Sequence, residues 1–196
     1  MHQIAVLASG FGSNAAKLMD YFQNHPQIRV ALVVSNNASA RVLTKAGERR
    51  IPVEVLPGPA WENREKLLKV FENYQVETIV LAGYMRLLPP YFVKAYRNRI
   101  INIHPALLPA FGGKGMYGMH VHRAVIESGA HKSGITIHLV NEQYDEGEIL
   151  FSKSLDVLPE DTPESLAKKV LELEHQYYAP VVENYILHGP DMKISD

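Results

Sequence analysis

The fold class and the candidate site are decided by one stretch, Arg99-Ile100-Ile101-Asn102-Ile103-His104-Pro105-Ala106-Leu107-Leu108-Pro109. The apolar run that begins at Ile100 predicts a buried strand, and Pro105 ends it because proline has no N–H to donate to a sheet. Side chains alternate along a strand, so Asn102 and His104 point to the same side. In an open α/β sheet, ligands bind at the carboxyl ends of the strands. Taken alone, the pattern also fits a core histidine beside a turn-forming asparagine.

Length and composition describe an ordinary globular protein. The chain has 196 residues, of which 46% are hydrophobic and 21% are charged, and its net charge is −1. This balance gives no reason to expect a nucleic-acid partner. The sequence contains no cysteine, which excludes disulfides and a thiol nucleophile. It shows no signal peptide and no apolar run of the roughly 20 residues that a spanning helix needs. We therefore expect a cytoplasmic protein without a membrane partner.

A glycine loop follows the first predicted strand, residues 3–8. The segment Ser9-Gly10-Phe11-Gly12-Ser13-Asn14 leads into an amphipathic helix that begins at Ala15. In this context the first helical N–H groups face an anion, which favours a phosphate site. The loop also fits the loose dinucleotide pattern, but the second strand ends in Ser35-Asn36-Asn37 and lacks the acidic residue that NAD requires. A phosphate monoester is favoured, NADP stays open because Arg41 is nearby, and tight strand–helix packing would also explain the glycines.

Two further features of the first half are candidate ligand contacts. The segment Gly83-Tyr84-Met85-Arg86-Leu87-Leu88-Pro89-Pro90 follows the fourth predicted strand. Its apolar side chains, Met85, Leu87 and Leu88, would form a wall for a flat aromatic ligand or pack in the core. Arg64 would lie in the first turn of the preceding helix, where a solvated charge is the simpler interpretation of its spacing alone.

The second half adds polar residues at strand ends and inside a helix. A strand predicted over 134–140 places Thr136 and His138 on one face, toward water or a site. In the polar loop that follows, Asp145 fits either a site or an ordinary turn before a glycine. Glu174 lies on or near the apolar stripe of the last helix, where a carboxylate needs a partner.

A glycine-rich loop, Gly112–Met119, separates the opening stretch from the next helix. Its composition does not suit regular structure throughout, and we predict a mobile loop beside the site, able to act as a lid. His120 and His122 open the next helix, but histidines at i and i+2 do not share a helix face. Because cysteine is also absent, we expect no metal site.

The alternation of strands and helices predicts a single α/β domain spanning residues 1–196. The expected architecture is a Rossmann-like, mostly parallel twisted sheet with helices on both faces. Pro180 would end or kink the last helix. The predicted strands are 3–8, 30–34, 51–56, 78–82, 100–104, 134–140 and 149–157, and the predicted helices are 15–22, 40–50, 61–74, 91–96, 120–128 and 165–187.

Four motifs of this chain, in this order, resemble those of the folate-dependent glycinamide ribonucleotide formyltransferases. They are a phosphate loop, a folate wall, a catalytic strand end and an aspartate loop: Ser9–Asn14, Leu81–Leu88, Asn102–Pro109 and Tyr144–Gly147. The resemblance covers nearly the whole chain and implies the formyltransferase fold. It also implies the reaction, which is transfer of a formyl group from 10-formyltetrahydrofolate to the amine of glycinamide ribonucleotide in purine biosynthesis.

The resemblance assigns catalysis to Asn102, His104 and Asp145. The residues that it implies for the ribonucleotide are Gly12, Ser13, Asn14 and Glu174. Those that it implies for the folate are Arg64, Met85, Arg86, Leu87, Leu88, Asn102, Asn141, Glu142, Gln143, Tyr144 and Asp145. The implied partners are small molecules, no metal is required, and the chain would be a monomer or a homodimer.

The expected chemistry is direct attack of the amine on the formyl carbon. Asn102 and His104 would donate hydrogen bonds to the oxyanion of the tetrahedral species. His104 in its protonated form would supply a proton to the leaving nitrogen. We expect the Asp145 carboxylate to raise the pKa of His104 by favouring the charged ring.

Two features depart from the family pattern. Glu146 follows Asp145, where two glycines are frequent, and the loop Gly112–Met119 is longer than usual. The alternative functions are a formyltetrahydrofolate hydrolase, in which water replaces the amine, and an NADP-dependent Rossmann oxidoreductase. A third is a non-catalytic nucleotide-binding module.

Overall fold

The computed structural model describes residues 1–143 and 145–189 and has the predicted α/β fold. The strands are β1 (His2–Leu7), β2 (Ile28–Ser35), β3 (Val53–Val55), β4 (Thr78–Leu81), β5 (Ile100–His104), β6 (Lys132–Leu139) and β7 (Ile149–Asp156). The helices are α1 (Ser13–Phe22), α2 (Arg41–Glu48), α3 (Arg64–Asn73), α4 (Pro90–Ala95), α5 (Met119–Glu127) and α6 (Pro163–His188). The seven strands form a sheet in the order β3-β2-β1-β4-β5-β6-β7.

The chain forms two compact units, Met1–Ile101 and Asn102–Asp196. In the first unit, β1 pairs in parallel with both β2 and β4, and β2 pairs in parallel with β3. Residues Ile4 to Ala8 are fully buried, as expected for a parallel strand that is covered on both faces and reads as a continuous apolar run. The α1 helix buries Ala15, Leu18, Met19 and Phe22, the i, i+3, i+4, i+7 face predicted for it.

Aromatic side chains form a separate cluster in the first unit. The Phe92 ring contacts Trp61 and Phe71 at centroid distances of 5.1 and 4.9 Å, and Tyr96 lies 5.0 Å from Phe92. Trp61 is 6% exposed and donates its ring N–H to the Leu56 carbonyl oxygen at 3.0 Å. These contacts hold α3 and α4 together.

The stretch predicted as one helix, residues 61–74, contains the end of a short 3-10 helix and a separate α-helix. A short 3-10 helix spans Gly58–Trp61, and α3 begins at Arg64. The break occurs because Asn63 adopts an extended backbone and its side chain accepts the Lys66 N–H at 3.0 Å, which is the geometry of a helix N-cap. Arg64 lies in the first turn of α3, as predicted.

The second unit contains the antiparallel pair β6 and β7. The α6 helix packs against both strands and against α5. It begins with a capping box in which Thr162 and Ser165 exchange hydrogen bonds. The α6 helix agrees with the predicted range 165–187 and continues through Pro180 to His188, so of the two predicted effects of this proline, an end or a kink, it does not end the helix. Buried neighbours on either side, including Tyr178 and Val181, anchor the segment, and proline removes only one backbone donor.

The Asn63 cap gives a stability prediction. Replacing a capping asparagine with alanine costs about 0.5–2 kcal/mol, so Asn63→Ala should lower the free energy of unfolding measured in urea by about 1 kcal/mol. Asn73→Ala, an exposed asparagine at the other end of α3, is the matched control and should be close to neutral. Equal losses for the two variants would contradict the capping role.

Candidate active site

Strand β5 presents two polar side chains where the sequence predicts them. Ile100 and Ile101 are fully buried, and the strand ends at His104, directly before Pro105. His104 is 3% exposed, and Asn102 is half-buried. The polar groups of β5 are therefore held in a protein environment with restricted access to water.

The His104 ring has a fixed orientation and a defined proton-accepting atom. Its Nε2 lies 2.8 Å from the Phe111 carbonyl oxygen. Because a carbonyl oxygen can only accept, Nε2 carries the hydrogen of the neutral ring. The other nitrogen, Nδ1, lies 3.7 Å from Oδ2 of Asp145. A proton taken up by His104 therefore binds at Nδ1 and faces a carboxylate.

Asp145 lies between two histidines in the second unit. Its Oδ2 accepts the Gly113 backbone N–H at 2.9 Å, and its Oδ1 lies 3.6 Å from Nε2 of His138. Burial alone would raise the pKa of Asp145, but His138, the Gly113 N–H and the charge of His104 together hold that pKa below its ordinary value. Asp145 is therefore a carboxylate at neutral pH.

The pKa of His104 is lowered, which differs from the expectation. Burial is the largest cause, because it penalises the charged ring, and neighbouring His138 adds to it. Asp145 and the Phe111 carbonyl oxygen act in the predicted upward direction but do not compensate for burial. The sequence indicates the carboxylate partner correctly but says nothing of how deeply the ring is buried.

His138 orients the Asn102 amide. Its Nδ1 lies 2.9 Å from the Leu139 carbonyl oxygen and so carries the hydrogen of the neutral ring, which leaves Nε2 as an acceptor. Nδ2 of Asn102 lies 3.1 Å from this Nε2 and donates to it. His138 is 2% exposed, so the polar face of β6 points to a site rather than to water. The second N–H of Nδ2 is then available to a ligand.

The neighbouring Thr136 secures the turn after β5. It is fully buried, accepts the Leu108 N–H at 3.0 Å and donates to the Ala106 carbonyl oxygen at 2.7 Å. The loop after this turn supplies backbone groups of Phe111 and Gly113 to the site. This confirms the prediction that a glycine-rich loop lies beside the site, while its motion stays a prediction.

The remaining second-unit candidates lie in a loop and in α6. Asn141, Glu142 and Gln143 are exposed, and the Asn141 side chain accepts the Gln143 N–H at 2.9 Å. Tyr144 lies outside the described residues. Glu174 is 8% exposed within α6, which agrees with its predicted place near the apolar stripe.

The glycine loop of the first unit has the strand–loop–helix geometry predicted for it. Gly12 is the N-cap of α1 and has a positive φ of 68°. An ideal Cβ at this position would lie 2.6 Å from Cβ and Cγ2 of Val42, so only glycine fits there. No side chain caps this helix start, and the first N–H groups of an α-helix have no partner within the helix. This end of α1 can hold an anion.

The segment after β4 divides into exposed and buried side chains. Met85 is 60% exposed and Leu87 is 52% exposed, whereas Leu88 is 4% exposed. Met85 and Leu87 therefore offer an apolar surface to a ligand, and Leu88 packs in the core. The guanidinium of Arg86 lies against Gly58, where an ideal Cβ would lie 2.9 Å from one of its nitrogens.

The described part of the chain has neither a metal-binding cluster nor a membrane-spanning helix. Within 1–143 and 145–189, no group of three or more His, Cys, Asp or Glu residues could hold a metal ion. Of the helices that the structure describes, none is long and apolar enough to cross a membrane.

The site combines a buried His–Asp pair with an oriented amide at the carboxyl end of a strand in an α/β sheet. This arrangement suits proton transfer and the stabilisation of an oxyanion. Those are the requirements of a group-transfer enzyme. The chain belongs to the formyl transferase family, whose model matches residues 2–182.

Individual relatives agree with this membership. The chain is 46% identical over 186 residues to the chloroplastic phosphoribosylglycinamide formyltransferase of Arabidopsis thaliana, covering 92% of this chain but only 64% of that protein. It is 33% identical to the Bacillus subtilis phosphoribosylglycinamide formyltransferase over 95% of both chains. A crystal structure of the Anaplasma phagocytophilum enzyme of that name has a TM-score of 0.86 and 35% identity, covering 100% of this chain and 91% of that one. The chain thus spans less than two thirds of the plant relative. The family resemblance seen in the sequence is confirmed.

The fit of Gly12 against Val42 predicts a stability difference between two glycines of one loop. Gly12→Ala combines a left-handed backbone with a steric clash and should cost about 1–3 kcal/mol, which lowers Tm by several degrees. Gly10 has no atom within 4 Å of an ideal Cβ and no positive φ, so Gly10→Ala is the control and should leave Tm nearly unchanged. Calorimetry of both variants checks this, and similar Tm values would contradict it.

The His104 environment gives a pH prediction. Since burial lowers the pKa of His104, its imidazole resonance in NMR should titrate below 6.5, the ordinary value for histidine. Asp145→Asn removes the charge that opposes this shift, so the midpoint should move further down. Asp156→Asn, at an exposed position of β7, is the control and should leave the midpoint unchanged. An upward shift in Asp145→Asn would contradict the electrostatic coupling.

The lowered pKa of His104 also predicts how the stability of the protein depends on pH. A native pKa below the unfolded one means that the unfolded chain binds more protons, so the contribution of His104 to stability is lost as pH falls through 6.5 toward the native value.

Proposed function

We propose that this chain transfers the formyl group of 10-formyltetrahydrofolate to the amine of glycinamide ribonucleotide, a step of purine biosynthesis. One observation carries the proposal. His104, Asp145 and the Asn102 amide, which the sequence separates by up to 43 positions, lie within hydrogen-bonding or ion-pairing reach of one another or of the shared neighbour His138. The names of the relatives, phosphoribosylglycinamide formyltransferase, supply the substrate class.

The reaction requires two groups that this site offers. As the amine nitrogen bonds to the formyl carbon, the carbonyl oxygen becomes an oxyanion, and the free N–H of Asn102 and a protonated His104 are its donors. One such donor is worth roughly 100- to 1000-fold in rate. The carbon–nitrogen bond to folate then breaks, the leaving nitrogen takes a proton from His104, and the amine loses one. Asp145 stabilises the charged ring and accepts that second proton through a water molecule.

The ribonucleotide phosphate is assigned to the glycine loop. Gly12 allows the loop to approach the phosphate, and the backbone N–H groups of Ser13 and Asn14 donate to its oxygens at the positive end of α1. Glu174, buried in α6, is assigned to the ribose or glycinamide end. Binding energy at the phosphate, remote from the reacting atoms, would fix the amine in place.

The folate is assigned to side chains of the segment after β4, of α3, and of the loop after β6. Met85 and Leu87 offer the exposed apolar contact that a flat pterin ring needs. The guanidinium groups of Arg64 and Arg86 suit its glutamate carboxylates. The other assigned residues are Leu88, Asn102, Asn141, Glu142, Gln143, Tyr144 and Asp145.

The setting of the reaction is part of the proposal. Residues 1–196 would act as one formyltransferase domain on small molecules, as a monomer or a homodimer, in the cytoplasm and without nucleic-acid or membrane partners. No step of the proposed reaction calls for a metal ion.

The test is an assay with 10-formyltetrahydrofolate, with and without glycinamide ribonucleotide, that follows the folate product. We expect product only when the ribonucleotide is present. His104→Ala should lower kcat by at least about 100-fold while calorimetry still detects both ligands. Product formed without the amine would indicate a hydrolase, and reduction of NADP by an added substrate would indicate an oxidoreductase. Near-normal turnover by His104→Ala would remove His104 from the chemistry.

A further inference from the structure

Ser9 connects the carboxyl ends of three neighbouring strands in the first unit. It lies two residues after the end of β1, the strand that lies between β2 and β4. Its hydroxyl donates to Oδ1 of Asn36, after β2, at 2.6 Å and accepts the Met85 N–H, after β4, at 2.9 Å. Its own N–H donates to the Gly83 carbonyl oxygen at 3.0 Å. One side chain therefore bonds to both neighbouring strand ends at once.

The same residue opens the glycine loop. The next residue, Gly10, accepts the Val42 N–H of α2 at 3.2 Å, and Gly12 packs on the Val42 side chain. The loop is thus held by α2 on one side and joined through Ser9 to the segment after β4 on the other. A displacement of the loop would move the hydroxyl that accepts the Met85 N–H.

We infer that Ser9 is a positioning residue that couples phosphate binding at the glycine loop to ligand binding at Met85 and Leu87. This inference rests on the proposed function, which gives the two surfaces to different substrates. A phosphate held by α1 fixes the loop and Ser9, and Ser9 in turn fixes the Met85 backbone. The second ligand then meets a segment that is already ordered and loses less conformational entropy on binding. Coupling of this kind is positive and reciprocal.

Trp61 provides a local reporter of the segment after β4. It is the one tryptophan in the sequence, and its ring centroid lies 6.0 Å from that of Tyr84, the residue before Met85. Because Trp61 contacts Tyr84, a change in its emission when the ribonucleotide binds alone would report on the segment after β4.

The experiment measures tetrahydrofolate binding by calorimetry, with and without saturating glycinamide ribonucleotide. Tetrahydrofolate carries no formyl group, so no reaction occurs. In the wild type we expect the ribonucleotide to tighten tetrahydrofolate binding by about fivefold or more, within the usual range of coupling between sites. In Ser9→Ala this factor should fall to about one, and the ribonucleotide should no longer change Trp61 emission.

Three further variants make the result specific to the hydroxyl of Ser9. Ser9→Thr keeps the hydroxyl and should restore the coupling. Asn36→Ala removes one of the two side-chain bonds, so its coupling factor should lie between those of the wild type and Ser9→Ala, and it serves if Ser9→Ala does not fold. Ser39→Ala, the same change at an exposed position after β2, should keep the wild-type factor.

Two results would overturn the inference alone. The first is an equal coupling factor in the wild type, Ser9→Ala and Asn36→Ala. The second is a coupling factor of one in a wild type that turns over both substrates. A wild type that forms no formylated product would instead refute the proposed function and this inference with it.

Discussion

A carboxylate that is only 14% exposed needs partners, and those of Asp145 come from three different parts of the second unit. Taking such a charge out of water costs several kcal/mol unless neighbours compensate. The Gly113 N–H donates to this carboxylate, and the rings of His104 on β5 and His138 on β6 lie 3.7 and 3.6 Å from its oxygens. Because the carboxylate must keep these partners, the strand ends and the loop that carry them are held together. The orientation of the Asn102 amide depends on the same arrangement through His138.

Most of this fold could be predicted from local pattern. Apolar runs bounded by glycine or proline identify β1, β4 and β5, and the i, i+3, i+4, i+7 spacing identifies α1. The errors lie where a side chain or tertiary contact overrides the pattern. Asn63 caps α3 and divides a stretch that would otherwise be one periodic helix; α6, by contrast, agrees with its predicted range and continues through Pro180.

Only the site residues that act through their side chains could be predicted from the sequence. Asn102 and His104 follow from strand alternation, and Asp145 enters through family resemblance. Phe111 and Gly113 act through backbone atoms, so no property of their side chains marks them in the sequence. The alternation of side chains along β6 predicts that His138 points either to water or to a site. Because His138 is buried and bonds to Asn102, it points to the site. The lowered pKa of His104 could not be foreseen, since it depends on burial rather than on the charge of its neighbour.

Backbone groups of Phe111 and Gly113 hold His104 and Asp145, and this has a consequence for how the following loop tolerates change. Beyond Gly113 the chain passes through Gly115 and Gly118, where an added Cβ would meet nothing within 4 Å but where a positive φ favours glycine. Any residue supplies a peptide N–H and C=O, and the Met116 N–H bonds to the Gly113 carbonyl oxygen at 3.1 Å, so side chains between Lys114 and Tyr117 can be exchanged, for example to carry a reporter, while the backbone is kept. The backbone bonds to His104 and Asp145 would stay with Phe111 and Gly113, which precede this stretch.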